Sequence, residues 1–395
     1  MERIVSQIEA LAPALVGLAH RVHAAAEVGF AEHESVAAVA GLLAGHGFAP
    51  SVGVYGLATA LRAEAGDGGG PRVALLAEYD ALPGIGHACG HNVICAAAVG
   101  AFLGVAAEAA ELGGSVTLLG TPAEENGSGK ETMARAGAFD GFDAVLMLHP
   151  ASGATTAHVA NLGLRSVEVA YHGVAAHASG APSAGRNALD AVVAGYQGIA
   201  ALRQHIGDTE RVHGIITDGG QAANVVPAYA AARYLLRSPD ERGLVALTER
   251  VQRVLDGAAL LTGTTADIEW DRIPPCLPVR SNAALAARFA EHYGNRGHEV
   301  RPYGTSNGST DLGNVSLRVP AIHPMVGIAP PGVALHTAEF AEYTASPSAD
   351  AAVVDGAVAL AGTARDVLAD AALRAAAAAE FAASGGPVDV PALLA

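Results

Sequence analysis

Cys89 and His91 stand two residues apart in HACGH, with Gly90 between them free to take a backbone angle that other residues avoid. Both side chains can then reach one point, and a thiolate beside an imidazole suits zinc or a similar first-row metal. Taken alone, the spacing describes a buried cysteine beside a capping histidine equally well. Glu124 and Glu125 form a second nucleus in PAEENG. Adjacent carboxylates leaving an extended loop point apart, so one is expected to bind metal and the other to move protons. His149 ends the apolar run AVLMLHP, where an imidazole without a partner would be costly to bury, and His336 lies in ALHTAEF. Cys89, His91, Glu125, His149 and His336 make a five-ligand set at expected loop and strand ends, enough for two metals sharing a bridge.

Something must bring these separated residues together. Arg72–Tyr79 (RVALLAEY), Ser115–Thr121 and Asp143–His149 read as buried parallel strands, separated by helical patterns at Ala96–Glu111 and Gly129–Ala138. The alternation predicts an α/β fold, a mostly parallel sheet with flanking helices, whose site lies beyond the carboxyl ends of the strands. The texture changes near Leu164. RSVEVAYHG, a helix near Asn187–Ile206, strands at Arg211–Thr217 and Tyr229–Leu236, a helix at Glu241–Leu261 and a strand at Ala266–Asp271 follow the β-α-β-β-α-β order of a ferredoxin-like module. The expected organisation is a catalytic domain of residues 1–164 and 277–395 with an inserted α+β domain of residues 165–276.

The chain of 395 residues carries 23 Lys+Arg against 39 Asp+Glu, a formal charge of −16, without a basic cluster. Nucleic acid and anionic membrane are therefore not expected partners. Three cysteines argue against a disulfide framework, and Cys95 and Cys276 read as small buried hydrophobes. Met1–Leu18 reads as a mature first helix, not a signal peptide, and a cytoplasmic enzyme is expected.

The motifs HRVHAAAEVGFAEHES, DALPGIGHACGHN, GTPAEENGSGK, YHGVAAHAS followed by GRNALDA, QAANVVP, GSTDLGNVS and ALHTAEF occur in this order over nearly the whole chain. In them the chain resembles the aminoacylase/carboxypeptidase G family of dinuclear metallo-amidohydrolases. The similarity is greatest to the branch of auxin-amide, hippurate and aminobenzoyl-glutamate hydrolases and β-alanyl-lysine-type dipeptidases. The resemblance implies a zinc-aminopeptidase-like catalytic domain and an inserted lid through which the chain forms a homodimer. It implies a hydrolase for the amide bond of an N-acyl amino acid or dipeptide-like substrate carrying a carboxylate.

Two divalent ions per subunit are implied, zinc first, with manganese, cobalt or nickel as alternatives. Cys89 would bridge them, His91 and His149 holding one and Glu125 and His336 the other. Glu124 would be the general base acting on a metal-activated water, Asp80 would orient a ligand histidine, and His177 of the lid would stabilise the oxyanion in the neighbouring subunit's site. Asn224 and either Arg233 or Arg237 are candidates for gripping the substrate carboxylate, since a guanidinium fork fits it with two hydrogen bonds. The loop around Asp311 would bring backbone amides to substrate. Two positions depart from the pattern: Glu78 stands where much of the wider family has a ligand histidine, and Asn92 where the branch often has Asp. Two rival readings are a catalytically idle binding or regulatory relative, and a thiol amidohydrolase using Cys89 and His91. The second leaves Glu124, Glu125, His149 and His336 without a task.

Overall fold

The apolar run Arg72–Ala77 and the fully buried Ser115–Gly120 are neighbours at the centre of a six-stranded sheet. Strands buried on both faces have no reason to alternate, which is why both read as continuous hydrophobic runs. In this computed structural model, which describes every residue except Gly68 and Ala395, the sheet order is Ser51–Val52, Leu61–Gly66, Ser115–Gly120, Arg72–Ala77, Ala144–Leu146, Ala321–Ile322. The last four strands are parallel, and the first two add antiparallel pairs at one edge.

Helix His91–Glu111 packs against this sheet and against helices Glu2–Ala25 and Pro347–Ala369. Its length and mean hydropathy of 2.0 would suit a membrane span, yet 89% of that apolar stretch is buried inside the protein. Glycines let the helices approach: a Cβ at Gly100 would meet Leu15 Cδ1 at 2.6 Å, and one at Gly104 would meet Ile8 Cδ1 at 2.6 Å.

The expected single strand Asp143–His149 is instead two pieces. Ala144–Leu146 belongs to the large sheet, whereas His149–Ser152 joins a four-stranded sheet with Val300–Thr305, Thr155–Ala160 and Met325–Ala329. The chain changes sheet at His149, whose backbone N–H donates to Pro324 O at 2.8 Å. Periodicity could not show this, because the run stays apolar across the switch.

The elements above fall in one unit, Met1–Ala160, Val279–Ser306 and Thr310–Ala392; a second comprises Asn161–Pro278, Asn307–Ser309 and Leu393–Ala395. The second holds an antiparallel sheet in the order Thr265–Trp270, Gly163–His172, Tyr229–Ser238, Arg211–Asp218, with helices Ala188–Leu202 and Glu241–Thr262. Its chain order is β-α-β-β-α-β. Both helices start on side-chain caps, Asn187 and Asp240. Arg211–Asp218 forms one edge of this sheet and leaves Ile215 and Ile216 62% and 42% exposed.

Candidate metal centre

Gly90 has φ 87° and precedes the first turn of His91–Glu111. A side chain there would meet Pro150 Cγ at 2.7 Å, so both conformation and packing demand glycine. The turn sends Cys89 and His91 toward the carboxyl ends of the central strands. Just beyond Arg72–Ala77, Asp80 uses both carboxylate oxygens: Oδ1 faces His91 Nδ1 at 3.0 Å, and Oδ2 accepts the backbone N–H of Glu125 at 3.0 Å. One side chain thereby fixes the ring of His91 and the turn carrying the glutamates. His91 Nδ1 must carry the proton toward Asp80, leaving Nε2 to face the cluster. His149 is oriented in the same sense, its Nδ1 donating to Pro150 O at 2.6 Å.

Cys89 Sγ lies 3.3 Å from His149 Nε2 and 3.4 Å from His336 Nε2. Glu125 Oε1 lies 3.6 Å from His336 Nε2 and 3.8 Å from His91 Nε2. Three groups able to hold a metal ion result: Cys89–His91–His149 and Cys89–Glu125–His336, which share the cysteine, and His91–Glu124–Glu125. Glu124 stands beside the first two, its Oε2 3.9 Å from His91 Nε2. His91 Nε2 and Glu125 Oε1 are buried without a hydrogen-bond partner, which is expensive unless something else binds them. One soft thiolate, three imidazoles and a carboxylate suit zinc and its first-row neighbours, so the residues present fit a pair of divalent cations.

Without a cation, burial and the neighbouring charges hold these groups in different protonation states. Burial holds the His149 imidazole down at about 4, so it is a neutral donor. Burial also pulls on His91, but Glu78 and Asp80 outweigh it and hold that ring well above the usual range. Burial pushes the Cys89 thiol far up, with Glu125 and Glu124 adding to it, so without a cation beside it Cys89 is a neutral thiol and a poor nucleophile. Glu124 is raised well above the ordinary carboxylate range by burial, then by Glu78, Glu125 and Asp311. That makes it a stronger base than a solvated glutamate.

Several expectations need correction. Glu124 and Glu125 do not leave an extended loop but open a short helix, Glu124–Gly127, flanked by left-handed Ala123 and Ser128. The Asp311 side chain is fully buried and faces inward, with Oδ1 2.6 Å from Lys130 Nζ and Oδ2 accepting the Lys130 N–H at 2.9 Å, so any contact of this loop with substrate is left to its backbone amides. Lys130 Nζ also binds Glu78 Oε1, and Glu78 Oε2 stands 3.4 Å from His91 Nε2. Lys130 escaped sequence reading because a lysine after a glycine turn normally reads as solvated. Asn92 donates to Ala19 O at 3.3 Å and Thr344 O at 2.8 Å, a pairing with two carbonyls that an ionised Asp would lose. His323, in AIHPM, packs its ring 5.2 Å from that of His149.

In the second unit, His177 Nδ1 accepts from Gly180 N at 3.1 Å and Ser179 N at 3.3 Å, which leaves Nε2 to carry the proton. Asn224 is exposed and anchors the same turn, its carbonyl accepting from Ala178 N at 3.0 Å. Arg233 is paired with Glu168 at 2.7 Å, whereas Arg237 donates to Ser309 Oγ at 2.9 Å and Asn307 O at 3.3 Å.

The model of peptidase family M20/M25/M40 matches residues 74–366. The chain is 38% identical over 383 residues to a Mus musculus Xaa-Arg dipeptidase, covering 93% of this chain and 88% of the relative. It is 36% identical to a p-aminobenzoyl-glutamate hydrolase chain of Escherichia coli (strain K12), over 68% of this chain and 60% of the relative. Among solved structures, a Bacillus subtilis dinuclear metal-binding peptidase of the M20 family superposes with a TM-score of 0.68 at 21% identity, covering 88% of this chain and 98% of that one. The chain therefore belongs to peptidase family M20/M25/M40 and is a peptide- or amide-bond hydrolase.

Proposed function

We propose that this enzyme cleaves the amide bond of a dipeptide or N-acyl amino acid, with two divalent cations held by the Cys89–His91–His149 and Cys89–Glu125–His336 triads and Glu124 as general base. The observation that carries the reading is the sharing of Cys89 Sγ between two triads, with the Glu124 carboxylate beside them. The curated relatives named above act, by their names, on amides whose amine half is an amino acid, and the same substrate class is proposed here. Zinc fits the donors best, with manganese, cobalt and nickel as alternatives.

When bound, the cations polarise the scissile carbonyl and acidify a water molecule. Glu124 takes the proton of the attacking water and returns it to the leaving amine. Its side chain is 11% exposed, enough to meet a small reactant while staying largely desolvated. His177, with its proton on Nε2, donates to the oxyanion of the tetrahedral intermediate. Of the two candidate arginines, Arg237 is preferred for the substrate carboxylate. Arg233 already spends its charge on Glu168, whereas Arg237 has no carboxylate partner among the described residues. The open edge Arg211–Asp218 with its exposed isoleucines supports a homodimer built by pairing this strand with a second copy. In such a dimer His177 would serve the neighbouring subunit.

The test is a panel of dipeptides and N-acyl amino acids assayed with zinc, manganese and cobalt, alongside measured metal content. Two ions per subunit and hydrolysis that Glu124→Ala abolishes without metal loss are expected. Full metal occupancy with no hydrolysis across the panel would favour the idle relative. Turnover surviving Glu124→Ala would point to the thiol mechanism.

A further inference from the structure

The segment Gly29–Glu32, far from the cluster in sequence, wraps the turn that carries Glu124. Glu32 is fully buried; its Oε1 accepts the backbone N–H of Ala123 at 2.8 Å and its Oε2 the hydroxyl of Thr59 at 2.7 Å. Thr59 is held in turn through its carbonyl by the hydroxyl of Tyr79. Ala123 has φ 59°, a left-handed conformation that residues with a Cβ avoid, and it directly precedes Glu124. Its carbonyl accepts from Gly127 N at 3.1 Å and Gly129 N at 3.2 Å, so the whole Glu124–Gly127 turn depends on that conformation.

Two further contacts come from the same segment. A Cβ at Gly29 would meet Ala123 Cα and Cβ at 2.9 Å, so Ala123 seats on bare backbone. A side chain at Gly127 would collide with the ring of Phe30, itself at φ 66°. Buried carboxylates are costly, and burial pushes the Glu32 carboxyl up. The groups that hold this carboxylate are the Ala123 N–H and the Thr59 hydroxyl, with the backbone N–H of Glu32 itself beside them.

We infer that Glu32 is a positioning residue for catalysis, a clamp that holds Ala123 in its strained conformation and so aims Glu124 at the reacting atoms. This rests on the assignment of Glu124 as general base. Without the clamp, the cost of the left-handed conformation drives Ala123 out of it, and the aimed form of Glu124 falls about tenfold in population. Cys89, His91, His149 and His336 lie on other segments, and Glu125 stays tied to Asp80 through its own backbone N–H, so the cation ligands shift less than Glu124.

The experiment compares kcat, KM and metal content of the metal-loaded enzyme with those of Glu32→Ala, Glu32→Gln and the double variant Glu32→Ala with Ala123→Gly. Glu32→Ala should lower kcat about tenfold with KM and the two-ion stoichiometry nearly unchanged. Glu32→Gln, which keeps an acceptor for Ala123 N–H, should retain most of kcat. Glycine adopts φ 59° without strain, so the double variant should recover about threefold or more over Glu32→Ala. Should Glu32→Ala not fold, Thr59→Ala loosens the same carboxylate without emptying its site, and a selective loss of kcat is expected there too. Unchanged kcat in Glu32→Ala, a parallel loss of KM or metal, or no gain from Ala123→Gly overturns the clamp. Glu124→Ala run beside them separates the two ideas: its survival removes the general base, whereas its inactivity with a fully active Glu32→Ala removes the clamp alone.

Discussion

Replacing Lys130 by Met isolates the energetic role of the buried charges behind the site. Lys130, Glu78 and Asp311 are all fully buried, and Nζ touches both carboxylates. Methionine fills the volume but leaves two carboxylates without their cation in a medium that solvates them poorly. Breaking a buried pair in this way costs about 3–5 kcal/mol. For a unit of this size that lowers Tm by roughly 10 °C. Burial already pushes the Asp311 carboxyl up to about 6, even with Lys130 drawing it down. Its folded pKa lies above the unfolded one, so protonation favours the fold at low pH and that contribution is lost as pH rises through about 6. Removing Lys130 raises the carboxyl further, so the defect should be largest near pH 8 and should shrink near pH 5. Calorimetry of wild type, Lys130→Met and the triple variant Lys130→Met, Glu78→Gln, Asp311→Asn at equal metal loading measures this. The triple variant should regain most of the loss, since neutral side chains need no counter-charge. A single variant as stable as wild type, or a triple variant no better than the single, would refute the reasoning.

Asp80→Asn should weaken metal binding about 10- to 100-fold in a competitive chelator titration, because His91 loses the carboxylate that orients it and raises its basicity. Gly90→Ala should cost about 2 kcal/mol or more in equilibrium unfolding, from its left-handed backbone and the Pro150 ring behind it. His177→Ala should fold normally and lose turnover. Dimers mixed from His177→Ala and Glu124→Ala chains should recover part of the activity. Absence of recovery would mean that His177 serves its own subunit.

The residues that the structure brings together around Cys89 stood out in the sequence by residue type and by the motifs that carry the family resemblance. Several of Cys89, His91, Glu124, Glu125, His149 and His336 follow apolar runs, where a polar residue stands out. Strands buried on both faces and a helix apolar all round also announce themselves by composition, whatever their surroundings. What the sequence could not determine is which backbone groups those side chains meet. The break between Ala144–Leu146 and His149–Ser152, the burial of Asp311 on Lys130, and the grip of Glu32 on Ala123 all join segments distant along the chain. Local pattern registers neighbours in sequence, whereas a left-handed alanine or a buried lysine is stable only through contacts supplied from elsewhere. Residue type therefore determined which chemistry was available, and tertiary packing decided how it is aimed.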